Sequence, residues 1–323
     1  MPTRGWYPTS ILLALPLVMA ACKPPAAVVK AERLLDEGNV AAAFRTVDAA
    51  LKRAPGDDEL RRLVIRVHLQ RDDRAGAAAA YRTHVGPGGR DRALARHLAL
   101  EVMRWGLTHR SAPIRLQALQ GARSTDAGEL ERDVGARLLD PDEVVRTWAA
   151  VAMSRTPAGA DALERQLRSS VAAARAVAVG NLGRIAGKSA LTTLSRYRDD
   201  PDPGVRAAAA RSAAATGSPE ALDLLQALVD DEDRAVRTAA LTAVGVLGDP
   251  GGARLVRRRV GEAEPYLGAR LAAVIALAKI GAGDAAEALS TVAASDDLGP
   301  ALRAGVELAK LGRPQPVLNA IAR

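Results

Sequence analysis

One feature limits this chain more than any other: an arginine returns about every 31 residues through its C-terminal two-thirds. It stands at 115, 146, 175, 206, 237 and 270, always after an aliphatic residue: Ile114, Val145, Ala174, Val205, Val236 and Ala269. Three copies share one plan. They are Asp140-Pro141-Asp142 before Val145-Arg146, Asp200-Pro201-Asp202 before Val205-Arg206, and Asp231-Glu232-Asp233 before Val236-Arg237. Alanine-rich runs of helical period follow, several closed by a small-residue turn such as Thr216-Gly217, Leu247-Gly248 or Ile280-Gly281. A fixed period of this length marks a stack of similar hairpins, in which each copy buries its apolar face only against its neighbours. Composition agrees, because only 2% of residues are aromatic. A core must then be built from Ala, Leu and Val, which favours close-packed helices over a β-sandwich or barrel. The fold expected is all-α, a right-handed α-solenoid of stacked helical hairpins.

The pattern resembles the HEAT-like repeat first named from phycobilisome lyases, with its D-x-D-x-x-V-R-x-x-A-x-x-A-L-G core. The resemblance covers about residues 108–323 in roughly seven copies, within a segment taken as 90–323. The last copy has Ala301 where arginine is expected, with Arg303 two residues on, and reads as a C-terminal cap. Within a copy, the Asp-Pro start supplies an N-cap and a first-turn proline, and the second Asp suits the positive helix end. The arginine six residues after the first Asp falls near the inter-helix seam, within reach of an Asp in an adjacent copy. The resemblance implies an Asp/Arg ladder through Asp140, Arg146, Asp200, Arg206, Asp231 and Arg237.

Residues 26–89 carry a different spacing. Ala43, Val47, Ala50 and Pro55 follow Gly38 at offsets that resemble a tetratricopeptide unit of 34 residues. Gly38 permits the tight turn, the alanines allow close approach, and Pro55 ends the second helix. Asp72, Ala77, Tyr81 and His84 form a weaker second copy, closed by Gly86-Pro87-Gly88-Gly89. A plain pair of helical hairpins is the alternative.

The N-terminus reads as an address. Arg4 precedes an apolar stretch, Ile11 to Ala21, too short for a membrane span of about 20 residues. The single cysteine, Cys22, follows Met19-Ala20-Ala21, a run that resembles the lipobox of bacterial lipoproteins, with Met where that family usually has Leu. The resemblance implies removal of residues 1–21, lipidation of Cys22 and a tether over 22–25. Lys23, in place of an inner-membrane retention Asp, favours the outer membrane. A plain secretory signal with an incidental Cys22 is the other reading.

Little points to catalysis. Four histidines, at 68, 84, 97 and 109, lie apart, with no His-Glu-x-x-His and no His-Glu pair. Gly183-Arg184-Ile185-Ala186-Gly187-Lys188-Ser189 imitates a phosphate loop but is one residue short and joins two helical runs without a strand. No cofactor and no metal are expected. The formal charge of +8 raises anionic partners. However, the charge of the second helices alternates in sign from copy to copy, unlike a stripe that tracks a phosphate backbone, and few aromatics could stack bases. Arg254, Arg257, Arg258 and Arg259 form the densest positive spot, and Trp105 and Trp148 are the best single anchors for a partner. The function expected is a non-enzymatic envelope scaffold that binds a protein or peptide and reaches the membrane through its lipid anchor, without nucleic acid. An enzyme of bilin-lyase or metal-hydroxylase type and a binder of anionic polymer are the alternatives.

Overall fold

A computed structural model describes residues 25–85, 92–124, 128–260 and 264–313, and their regular structure is entirely helical. The chain divides into two compact units at Glu101/Val102, inside the helix Arg92–Thr108. The module boundary read at 89/90 lies outside the described residues.

In the first unit, α1 (Ala26–Asp36) pairs with α2 (Val40–Arg53), and α3 (Asp58–Gln70) with α4 (Arg74–Val85). The two turns repeat each other at an interval of 34 residues. Gly38 is left-handed at φ +74°, and Asp72 takes the same conformation at +60°. Aspartate tolerates this region better than most residues, although a non-glycine there costs about 1 kcal/mol. The next residue caps the following helix in both cases. Asn39 accepts from the Ala42 N–H at 3.1 Å, and Asp73 accepts from the Gly76 N–H at 2.8 Å. Ala43 and Ala77, again 34 apart, are buried where the helices cross.

In the second unit, every copy contributes a first helix to one layer. These are α6 (Ala112–Ser124), α8 (Glu143–Ala152), α10 (Ala172–Ala186), α12 (Pro203–Ala214), α14 (Arg234–Leu247), α16 (Leu267–Ile280) and α18 (Leu298–Lys310), each packed on the next. With α5 taken as Arg92–Thr108, the second helices are α7 (Glu131–Gly135), α9 (Pro157–Leu167), α11 (Leu191–Leu194), α13 (Ala221–Leu228), α15 (Ala253–Arg257) and α17 (Ala285–Ala293). Three of these, α7, α11 and α15, are single turns, each preceded by a 3₁₀ segment. The arrangement is an all-α solenoid of stacked hairpins. Small residues set its spacing: a Cβ on Gly183 would lie 1.8 Å from the Ser212 carbonyl oxygen, so α10 and α12 touch backbone to backbone. The Gly183 N–H donates instead to Ser212 Oγ at 2.8 Å. The same closeness recurs at Gly245 against Ala276. An alanine core holds helices this near, which accounts for the scarcity of aromatics. Gly217, Gly248, Gly281 and Gly312 end successive first helices at φ of +67° to +79°.

Candidate functional site

The repeated arginine is a two-edged clamp. Its Nη1 edge closes on the turn that precedes its own helix. Arg206 Nη1 donates to the Asp200 carbonyl at 2.9 Å, and Arg115, Arg146, Arg175 and Arg237 make the equivalent bond to His109, Asp140, Ser169 and Asp231. Its Nε–Nη2 edge reaches an acid of the following copy. Arg115 grips Asp140 at 2.7 and 2.9 Å, Arg175 grips Asp200 at 2.9 and 3.1 Å, and Arg206 grips Asp231 at 2.8 and 2.9 Å. Arg237 grips Glu264 at 2.6 and 2.8 Å. Each gripped acid also accepts the N–H two residues on, from Asp142, Asp202, Asp233 and Tyr266, so both carboxylate oxygens are engaged. The second Asp of the motif caps the helix, as Asp142 and Asp202 do by accepting from Val145 and Val205.

Two rungs lack their acid. Ser169 stands where Arg146 would find a carboxylate, so the cross-copy pairing expected of Arg146 is corrected. It binds the Asp140 and Pro141 carbonyls and lies 3.6 Å from Glu143 of its own helix. Asp140 serves Arg115 of the copy before it, and Arg137 three residues upstream at 3.4 Å. Ser169 turns its hydroxyl to Glu143. At the far end Ser295 occupies the position 25 residues after Arg270, and its buried Oγ has no partner among the described residues. Arg270 donates from Nε to the Glu264 carbonyl at 3.1 Å. The short list of acids read from sequence missed Glu264, although it lies six residues before Arg270 as Asp200 lies before Arg206. His109 and Ser169 fill the same turn position, accepting the Ser111 and Val171 N–H, each at 3.0 Å.

Electrostatics follow from this geometry. Burial alone would raise the carboxyls of Asp200 and Glu264, but the hydrogen bonds from Arg175 and Arg237 outweigh it and hold both below their ordinary values. Arg175, Arg206 and Arg237 are raised by the same bonds. The charge-assisted bonds of the ladder couple neighbouring copies.

Three of the four arginines of the basic spot are ion-paired. Arg257 pairs with Asp284 at 2.8 Å, while Arg258 and Arg259 share Asp230 at 3.1 and 2.7 Å. These acids come from the copies on either side, so the cluster is a second seam. Arg254 is exposed and has no ion pair among the described residues. Trp148 packs partly buried against the main core with Arg123 over its ring at 5.5 Å. Trp105, also partly buried, stacks at a tilt on His109 with centroids 4.9 Å apart. Both are thus partly covered by neighbouring side chains. In the phosphate-loop look-alike, Gly187 simply ends α10 at φ +56°, and Lys188 pairs with Glu220 of the next copy. His68 meets Asp73 at 2.8 Å across the α3–α4 turn. Among the described residues no three His, Cys, Asp or Glu side chains converge as a metal would require, and no helix is long and apolar enough to cross a membrane. Met19, Ala20, Ala21 and Cys22 lie outside the described residues.

Clefts among the described residues include two of similar size. One, of about 370 Å³, lies between α2, α3 and α4 and is lined by Phe44, Leu51, Val64, His68 and Ala80. The other, of about 350 Å³, crosses the first-helix layer at α14, α16 and α18.

A family model described as HEAT repeats matches residues 160–245 and 223–309, a span that runs from α9 into α18. The chain matches no curated protein. Among solved structures, the crystal structure of an engineered protein is similar at 15% identity, covering 92% of each chain with a TM-score of 0.38.

Proposed function

We propose that the protein is a lipid-anchored scaffold of the cell envelope that holds a protein or peptide on its repeat array and carries out no reaction. The observation that supports this reading is the clamp. Each of four arginines ties its own turn to the next copy, so the helices at those junctions are held in a fixed surface of the kind HEAT repeats present to partners. The pairing of Arg257, Arg258 and Arg259 with acids of the chain itself lowers the net charge of the densest cationic spot, which favours a protein over nucleic acid. The first unit adds a tetratricopeptide-like pair of hairpins, supported by its 34-residue recurrence of turn and cap.

The anchor rests on Cys22 and the lipobox-like run before it. Several acyl chains, at about 0.8 kcal/mol for each buried CH₂, would hold the chain stably to a bilayer, and Lys23 favours the outer membrane. Fractionation of cells that carry Cys22→Ser tests this. The variant is expected to leave the membrane pellet while it keeps the helical circular dichroism of the native chain. Retention in the pellet would sink the anchor.

A further inference from the structure

The cleft across α14, α16 and α18 owes its existence to an exception in the repeat. In three consecutive first helices, two positions one turn apart are small: Ala208 and Ser212, Ala239 and Ala243, Ala272 and Ala276. There one helix closes directly on its neighbour, as Ser212 does on Gly183 and Ala276 on Gly245. In α18 the same positions hold Arg303 and Glu307. These long side chains, with Lys310, raise a far wall opposite Thr238 and Thr242 of α14. The floor is α16, where Leu271, Ala272, Ile275 and Ala276 offer an apolar surface and Lys279 stands at one end.

The charges of this cleft are unbalanced. Glu307, its single carboxylate, is taken up by Lys310 at 2.7 Å. Lys279 and Arg303 are exposed and have no ion pair among the described residues. Arg257, by contrast, is met by Asp284 of a neighbouring copy. An apolar floor between two unmet cations is complementary to an aliphatic side chain flanked by carboxylates.

We propose that this cleft is a docking site for an acidic peptide segment of a partner protein, with an aliphatic side chain on Ile275 and carboxylates on Lys279 and Arg303. The site lies on the first-helix layer at the last described copies, away from the second helices. It rests on the scaffold reading and gives that reading a location and a ligand chemistry. A volume of about 350 Å³ is at the lower end of what small ligands fill, enough for a few side chains but not a folded domain.

The test is fluorescence polarisation of the full-length chain with a labelled decapeptide of Asp, Glu and Leu, beside the same peptide with every acid changed to its amide. The acidic peptide is expected to bind in the micromolar range, and the amide peptide at least about tenfold more weakly. Lys279→Glu with Arg303→Glu should produce a similar loss without change in circular dichroism, since both side chains are exposed. Thr242→Trp, which fills the cleft from an exposed wall position, should abolish binding by shape alone. No binding of the acidic peptide, or binding equal in the double variant, overturns the proposal. Cross-linked capture from envelope extracts separates the two readings. If native and double-variant chains retain the same proteins, the docking site fails and the scaffold stands. If the native chain retains none, the scaffold itself fails.

Discussion

The junction between α12 and α14 and the junction between α16 and α18 start from the same arginine and end differently. At the first, Arg206 holds the Asp200 carbonyl with one edge and the Asp231 carboxylate with the other, and the two helices are locked together. At the second, Arg270 holds the Glu264 carbonyl, but Ser295 meets the other side with a hydroxyl that has no partner among the described residues. The turn survives the loss of its acid, whereas the coupling does not. The repeat therefore combines two separable devices, one local to a copy and one between copies.

Breaking the filled junction should have the largest effect. Arg206→Ala strands Asp231, which is 8% exposed at its side chain, as a buried carboxylate without its counter-ion. Such a loss costs about 3 kcal/mol. Arg270→Ala removes one described hydrogen bond and should cost about 1 kcal/mol. Native-state hydrogen exchange resolves the two, with protection lost in α12 and α14 for the first and barely changed in α16 for the second. Equal losses would show that the carboxylate rung adds nothing to the backbone clamp.

Acid should distinguish the junctions next, with a smaller effect because a protonated carboxyl still makes hydrogen bonds. Glu264 is held below its ordinary value of 4.5 in the folded chain, so the unfolded chain takes up the proton first. Its contribution is fully present above that value and is lost as pH falls through the lower folded one, and Asp200 behaves alike below 3.8. Urea denaturation between about pH 6 and about pH 3 should show this loss, and Glu264→Gln should flatten the part that Glu264 contributes. A pH dependence unchanged in that variant would remove Glu264 as a source of acid sensitivity.

The smallest effect is a gain. Ser295→Asp places a carboxylate 25 residues after Arg270, the offset that joins Arg206 to Asp231. It should add about 1 kcal/mol, which for an array of this size raises Tm by about 2–4 °C. A lower Tm would mean that the last junction differs in backbone geometry as well as in side chain.

What could be read from the residues depended on whether a position acts through its own chemistry or through its place in a turn. Gly38 and the run to Pro55 announced the first hairpin, and the same offset led to Asp72, which takes a left-handed turn that glycine would favour. The arginine period and the D-x-D plan were equally plain. Glu264 escaped because the pattern sought was Asp, and an insertion lengthens that copy. His109 and Ser169 escaped for a deeper reason: the turn asks only for an acceptor two residues before an N–H, and Asp, Glu, Ser and His all supply one. The arginine cluster at 257–259 looked free because its acids, Asp230 and Asp284, sit about one copy away on either side. Likewise Arg303 and Glu307 mean little until the helix face that carries them is known.

That tolerance in the turn has a consequence for how such a chain can grow. Since Arg206 and Arg237 reach for an acid supplied by whichever copy comes next, one hairpin can be duplicated or excised and the cut ends rejoined by the same grip. The array is built like a chain with standard couplings, and the serine at each open coupling marks where a train of carriages can be parted at least expense to the rest.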